Sequence, residues 1–205
     1  MPRARSSSLR NPNHPPRGSS TKVDPITNLD AIALIKENLS NNFRNLCLFT
    51  LGINTAYRSS ELVSIRVGQV QHLKERDFFP LKQGKNCEYR NATLNGEVIN
   101  AIQCWLREHP DPRPEAPLFR SRKTGKALQS KSITSLVKSW CLDIGLKGRY
   151  GSHTLRKTWG YHQRKTFNAQ TAVLTRAYGH KSEWQTLQYL CIQPEEIEEL
   201  YLNEL

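Results

Sequence analysis

Long hydrophobic runs are missing from this 205-residue sequence, and no apolar stretch approaches the roughly 18 residues that a membrane-spanning helix needs. The first 22 residues lack the hydrophobic segment of a secretory signal. The five cysteines are scattered, without a CxxC pair or a cluster of cysteine and histidine, so no zinc site is predicted. These absences favour a cytoplasmic protein with reduced thiols, and they exclude membrane and zinc-finger classes.

Each end of the chain carries charged side chains of only one sign. Residues 1–22 carry five basic residues and no acid, whereas residues 190–205 carry five glutamates and no base. Because the net charge of the whole chain is +12, the segment between these ends is itself strongly basic. A basic folded body predicts a polyanionic partner, most simply nucleic acid. RNA is disfavoured, since no aromatic base-stacking motif is present.

The spacing of apolar residues predicts a mainly α-helical domain with one small antiparallel β-sheet, an α+β fold class. Residues 43–53 are apolar on nearly every side, which is typical of a buried central helix. In residues 77–94, aromatic and β-favouring residues flank KQGK, which predicts a β-hairpin. We expect a disordered basic tail or linker over residues 1–23 and one folded domain over residues 24–205.

The acidic C-terminal segment, residues 192–205, predicts an amphipathic helix. Pro194 lies at an early helix position and glutamates follow in the first turn. Ile197, Leu200 and Tyr201 would form its apolar face. That face is expected to be buried, either on the chain's own core or on another protein chain.

Several polar residues occur where packing alone does not require them. Arg58 closes a nearly apolar helix and Glu61 follows three residues later, which an exposed ion pair explains as well as an active site does. His153 and Arg156 share one face at a predicted helix start. A helix cap and a solvated arginine account for them equally well.

Two further pairs are equally ambiguous alone. Lys82 and Lys85 belong to KQGK, a turn in which lysines are usually solvated. His180 and Tyr189 are nine residues apart on two predicted short helices, where both could be packing residues. Each pair needs partners from elsewhere in the chain before it indicates chemistry.

Taken in order, these residues resemble the signature of the tyrosine recombinase, or phage integrase, family. The motifs AYRSSEL, KQGK, HTLRKT and YGH match the family's first arginine motif, hairpin lysine, HxxR box and third box, and a tyrosine follows nine residues after the last histidine. The resemblance covers about residues 25–190. Thr-Ala-Tyr and Ala-Tyr replace more usual residues before Arg58 and Gly179, without removing a catalytic group.

The resemblance implies a role for each residue. Tyr189 would be the nucleophile that forms a covalent 3′-phosphotyrosine, and His153 its base or orienting group. Arg58, Arg156 and His180 would stabilise the charge on the phosphate oxygens. Lys82, which fits the turn better than Lys85, would protonate the leaving oxygen. Glu61 would hold Arg58 in position without contacting the phosphate itself. The implied core is that of a tyrosine recombinase or type IB topoisomerase, and no metal, ATP or other cofactor is implied.

The resemblance also implies partners. The chain would bind double-stranded DNA, act as a tetramer on it, and work with accessory DNA-bending proteins in a bacterial nucleoid, phage or mobile element. Basic residues that would contact DNA are Lys85, Arg122, Lys123 and Lys157. The C-terminal helix would dock on a neighbouring protomer.

Two alternatives remain open beside a site-specific recombinase. One is a nicking and resealing enzyme like type IB topoisomerases, although the nine-residue spacing from His180 to Tyr189 favours a recombinase. The other is a DNA-binding relative without catalysis, which the complete set of catalytic residue types disfavours. Most family members also carry an N-terminal core-binding domain, so the sequence represents either a fragment or a compact member.

Overall fold

The computed structural model describes residues 23–82, 89–192 and 194–204. Within those ranges the chain forms ten helices and one two-stranded sheet. In chain order they are α1 Leu29–Asn38, α2 Phe43–Thr55, α3 Ser59–Leu62, α4 Val67–Val70, β1 Phe78–Lys82, β2 Tyr89–Thr93, α5 Gly96–Arg107, α6 Ser130–Asp143, α7 Ser152–Lys165, α8 Thr171–Tyr178, α9 Glu183–Leu190 and α10 Pro194–Tyr201. No helix of the described part is long and apolar enough to cross a membrane.

Helix α2 is the centre of the domain, as its continuous apolar pattern predicts. It packs against α5 and α7, while α6 covers another side of α7. The main hydrophobic cluster includes Leu48 and Leu51 of α2, Ile102 of α5 and Leu155 of α7. Burial of such side chains contributes about 1.5–3 kcal/mol each, so α2 and its neighbours form a rigid base for the groups at their ends.

The β-hairpin is antiparallel, with Phe78 opposite Thr93 and Lys82 opposite Tyr89. Alternate residues point to opposite faces, so Leu81 and Arg90 share the buried face and Lys82 lies on the exposed face. The hydroxyl of Tyr57 donates to the Phe79 carbonyl and ties the hairpin to the chain just after α2.

A second, smaller apolar cluster consists of Ala56, Leu174, Tyr178 and Leu190, which come from the end of α2 and from α8 and α9. Gly160 of α7 lies against it, and a β-carbon at that position would overlap the Tyr178 hydroxyl. Gly179 ends α8 with φ of +62°, a left-handed conformation that suits glycine. The close packing and this turn place His180 and Tyr189 beside α7.

The sequence left open whether the apolar face of helix α10 is buried on the chain's own core or on another protein chain. Ile197, Leu200 and Tyr201 are exposed, not buried on the chain's own core. Charged residues hold the helix against α7: Arg164 binds both carboxylate oxygens of Glu196 at 2.5 and 2.8 Å, and Lys165 binds Glu199 at 3.2 Å. The segment forms a helix over Pro194–Tyr201, as its apolar periodicity predicts, and its acidic face contacts the domain.

Candidate active site

Arg156 lies at the centre of the site and is completely buried, with 0% of its surface exposed. Its guanidinium donates to the carbonyls of Ala56 and of Tyr178, the latter at 2.8 Å. These carbonyls lie at the C-terminal ends of α2 and α8, where the helix dipole favours a cation. Burial and the nearby Arg90 and Arg58 lower the pKa of Arg156 to about 9, so the group remains cationic at pH 7.

Glu61 links two arginines beside this centre. One carboxylate oxygen accepts from the Arg58 guanidinium at 3.0 Å, and the other accepts from the Arg58 backbone amide at 2.7 Å and from Arg90. Glu61 is only 2% exposed and Arg90 5% exposed, so this is not a surface ion pair. Because a buried carboxylate needs compensating charges, Glu61 orients Arg58 and neutralises part of the cationic cluster.

Arg90 is a further buried member of this cluster that was not predicted from the sequence. It lies on β2, its guanidinium is 4.9 Å above the Tyr57 ring, and its Nε and Nη1 atoms have no hydrogen-bond partner among the described residues. Burial is the main reason that its pKa is lowered. The sequence does contain a signal for this residue. In a hairpin with period-2 alternation, Arg90 falls on the same face as Leu81 and Ala92, which predicts a buried charge that must be paired.

His180 contacts Arg156 directly. Its Nε2 atom is 3.2 Å from Arg156 Nη2, and its Nδ1 atom is 3.0 Å from the Thr186 hydroxyl. The Tyr178 ring stacks on the imidazole at 4.8 Å, with 7° between the two planes. Burial and the neighbouring cations Arg156, Arg58 and Arg90 lower the pKa of His180 to about 4, so the ring is neutral at pH 7.

Tyr189 and His153 meet at the edge of the same cluster. The Tyr189 hydroxyl is 3.3 Å from His153 Nδ1, and the Tyr189 ring lies 5.5 Å from the Arg156 guanidinium carbon. Partial burial and the cations Arg156, Arg58 and Lys157 lower the pKa of His153, which favours its neutral, proton-accepting form. The nucleophile, base and phosphate-binding groups suggested by the sequence therefore lie together within one chain.

Lys82 is separated from this cluster by the sheet. It is exposed at the end of β1, on the face opposite Leu81 and Arg90. Lys85, the alternative lysine and a predicted DNA contact, lies outside the described residues.

The other predicted DNA contacts lie in different places. Lys123 is exposed, and Arg122 donates to Asn42 at 3.1 Å. Asn42 caps the start of α2, so Arg122 is roughly 20 Å from the Ala56 end of that helix, by the rise of an α-helix. Lys157 is buried and its ammonium donates to the Val23 carbonyl at 2.9 Å, which turns it away from solvent.

The structure combines a helical core and a small hairpin with a cluster of two arginines, two histidines and a tyrosine. Together these features define a catalytic domain of the tyrosine recombinase class. Residues 26–196 match the model of the phage integrase family, and the chain belongs to that family. It is 30% identical over 174 residues to the probable integrase/recombinase YoeC of Bacillus subtilis (strain 168), covering 83% of this chain and 90% of that protein.

Solved structures agree on the fold. XerA recombinase superposes with a TM-score of 0.72 and 17% identity, over 87% of this chain and 64% of the other. XerH site-specific recombinase bound to palindromic difH substrate gives 0.71 and 20%, over 89% of this chain and 53% of the other. The predicted fold class and family are therefore confirmed, and this chain spans only part of those two solved chains.

Proposed function

We propose that this protein is a site-specific DNA recombinase that cuts and rejoins double-stranded DNA through a covalent bond to Tyr189. The observation that carries the proposal is the approach of the Tyr189 hydroxyl to His153 Nδ1, 3.3 Å away, beside the buried Arg156. A tyrosine hydroxyl next to a neutral imidazole and a fixed cation is a nucleophile with a base and an electrostatic stabiliser. Because all three belong to one chain, Tyr189 is proposed to attack DNA held by its own protomer.

In the cleavage step, the Tyr189 oxygen bonds to phosphorus and its proton passes to His153 Nδ1. The bond between phosphorus and the 5′-oxygen breaks, and that oxygen takes a proton from a lysine, for which Lys82 is the candidate. Arg58 and Arg156 bind the non-bridging oxygens as their charge grows. The 5′-hydroxyl of another strand then attacks the phosphotyrosine in reverse, so the bond energy is conserved.

The decisive experiment replaces Tyr189 with phenylalanine. On a nicked substrate whose cleaved fragment diffuses away, the wild-type protein should accumulate a covalent protein–DNA adduct, and Tyr189→Phe should form none while binding DNA with similar affinity. Tyr201→Phe is the matched control, since Tyr201 lies on the exposed face of α10. An adduct on the Tyr189→Phe variant would refute the assignment, and an inactive wild-type protein would favour a silent DNA-binding relative.

The lysine assignment has its own test, because a sulfur leaving group needs no proton. Lys82→Ala should slow cleavage of ordinary DNA by about 100-fold or more, the scale of general acid catalysis, and should recover on DNA with sulfur at the 5′-bridging position. Lys85→Ala is the parallel variant. If only Lys85→Ala shows the loss and recovery, Lys85 replaces Lys82 as the acid.

Strand exchange separates a recombinase from a type IB topoisomerase-like enzyme. A recombinase joins two duplexes that carry the same site, whereas the alternative relaxes a single supercoiled duplex. We propose that the recombining complex is a tetramer on DNA, assisted by DNA-bending proteins. The exposed apolar residues of α10 support self-association, since they are free to contact a neighbouring protomer.

A further inference from the structure

A short strap, residues 23–26, lies along α7 just ahead of α1. Three buried side chains of α7 hold its backbone: Thr154, Thr158 and His162. The Thr154 hydroxyl donates to the Asp24 carbonyl at 2.8 Å. The Ile26 amide donates to the Thr158 hydroxyl at 2.9 Å, and the Ile26 carbonyl accepts from His162 Nε2 at 2.9 Å. Because these side chains are four residues apart, they form one row on the helix and fix the strap in register.

Lys157 makes a further contact with the strap. Its ammonium donates to the Val23 carbonyl at 2.9 Å, and the residue is only 8% exposed. Since the carbonyl is a neutral acceptor, this hydrogen bond fixes the position of the ammonium without cancelling its charge. A buried cation acts on neighbouring groups more strongly than a surface lysine does, because water and salt screen it less.

This fixed charge lies beside the nucleophile and its base. Lys157 is four residues after His153, so the two side chains are neighbours on the surface of α7. The Lys157 ammonium nitrogen is also 5.9 Å from the centre of the Tyr189 ring. The Tyr189 hydroxyl contacts His153 Nδ1, so one ammonium lies close to both members of the pair that exchanges a proton in the proposed reaction.

The imidazole of His153 lies among cations and phenols. The groups that face it or share its cavity are Arg156 and Lys157 of α7, Arg58 ahead of α3, Lys138 of α6, Arg149 and Tyr150 ahead of α7, and Tyr189 of α9. Burial lowers the pKa of His153 most, followed by the charges of Arg156, Arg58 and Lys157. A bound phosphate would offset the charges of the two arginines that hold it, whereas the Lys157 ammonium is bound to the strap. Its charge therefore acts on His153 with or without DNA.

We propose that Lys157 is a positioning residue for the proposed reaction: the Val23 carbonyl fixes its ammonium beside His153 and Tyr189, where its charge holds His153 in the neutral form that accepts the Tyr189 proton. Lys157 acts through this pair and not on DNA, in contrast to the DNA contact predicted from the sequence. The effect on the rate rests on the proposed function, whereas the effect on the protonation of His153 does not.

The protonation of His153 can be measured without DNA. An NMR titration of the full chain labelled at histidine follows each imidazole, and the His153 signals are identified by their loss in His153→Gln. Lys157→Gln removes the charge but keeps a donor for the Val23 carbonyl, so the pKa of His153 should be higher than in the wild-type protein. Lys157→Arg keeps the charge and should titrate as the wild-type protein does.

Lys165→Met is the matched control, because it removes the same charge from an exposed position eight residues further along α7 and should leave the titration of His153 unchanged. Circular dichroism checks that each variant is folded, and Lys157→Met gives the same comparison if Lys157→Gln does not fold. An unchanged or lower pKa of His153 in the variant without the lysine would overturn the inference.

Activity supplies the second measurement. In single-turnover cleavage of the nicked substrate, the acid limb of the pH profile should move to higher pH in Lys157→Gln. The variant should be slower than the wild-type protein by about threefold or more near pH 5.5 and should match it within about twofold near pH 8. An equal loss of rate at every pH would indicate a merely structural role and would contradict the inference.

DNA binding separates this role from a phosphate contact. Lys157→Gln should keep the wild-type affinity and its dependence on salt. A weaker affinity with a salt slope reduced by about one would identify Lys157 as a DNA contact and overturn the inference. If the wild-type protein cleaves no DNA, the proposed function fails and the titration of His153 alone decides the inference.

Discussion

The active site and helix α10 distribute polar and apolar residues in opposite ways. Around Arg156 the protein buries three charged side chains, Arg156, Glu61 and Arg90, whereas α10 exposes Ile197, Leu200 and Tyr201. Burying charge is costly unless each group is paired, and exposing a cluster of large apolar side chains costs hydrophobic free energy. Both regions depart from the usual pattern of buried apolar and exposed charged side chains. In each, a requirement other than the stability of one chain therefore determines which residues are present.

The two regions also differ in how they are held. Backbone carbonyls at the ends of α2 and α8 fix Arg156 from inside the domain, and a carboxylate shared with Arg90 fixes Arg58. Helix α10 is held on α7 through Arg164 and Lys165. The first region is pre-organised for an anion such as a phosphate, whereas the second is held through ion pairs at its acidic face and leaves its apolar face exposed.

The largest effect is expected at Arg156. Arg156→Ala removes the buried cation and leaves the Ala56 and Tyr178 carbonyls without donors, so we expect cleavage to slow by about 100-fold or more and the free energy of unfolding to fall by roughly 2–4 kcal/mol. Single-turnover cleavage and urea denaturation measure the two losses. Arg107→Ala, an exposed arginine at the end of α5, removes the same charge and should change neither. Cleavage by Arg156→Ala at the wild-type rate would contradict a phosphate-binding role for Arg156.

A smaller effect is expected where Glu61 is shared. Arg90→Met keeps the volume but removes one of the two cations on Glu61, so we expect a loss of about 3 kcal/mol of stability and roughly tenfold slower cleavage. Glu61→Gln should cost at least as much, because both arginines lose their counter-charge. The double variant should cost less than the sum of the two single variants, as expected for residues in one contact. Strict additivity would show that Arg90 does not act through Glu61.

Arg90 and Tyr189 show what the sequence could and could not predict. Order and spacing carry the family pattern, and they predicted site roles for Arg58, His153, Arg156, His180 and Tyr189. The fold was predicted from the periodicity of apolar residues in helices such as α2. Arg90 was missed because its role depends on a partner that is distant in sequence, since Glu61 is 29 residues away. The sequence left open what covers the apolar face of α10, because periodicity identifies such a face without showing its partner.

A third prediction concerns pH. The pKa of His153 is lowered below its usual value of about 6.5, so the base is deprotonated at neutral pH and activity should be lost only as pH falls through that lowered pKa. Single-turnover rates from about pH 5 to pH 8 should therefore be flat near pH 7 and should decrease on the acid side. His153→Gln should be slow throughout and should lose this acid limb. A decrease centred above pH 6.5 would contradict the electrostatic description of the site.

The smallest effect is expected on α10, and it tests the comparison directly. Leu190→Ala, in the buried cluster beneath Tyr189, should cost about 2–5 kcal/mol of unfolding free energy, because it leaves a cavity. Leu200→Ala should change the same quantity by less than about 0.5 kcal/mol, since Leu200 is 68% exposed. The proposed tetramer adds a second measurement: Leu200→Ala should weaken assembly on DNA while leaving cleavage by a single protomer unchanged. A stability loss for Leu200→Ala similar to that for Leu190→Ala would mean that α10 buries its apolar face on its own domain in solution, and the contrast between the two regions would disappear.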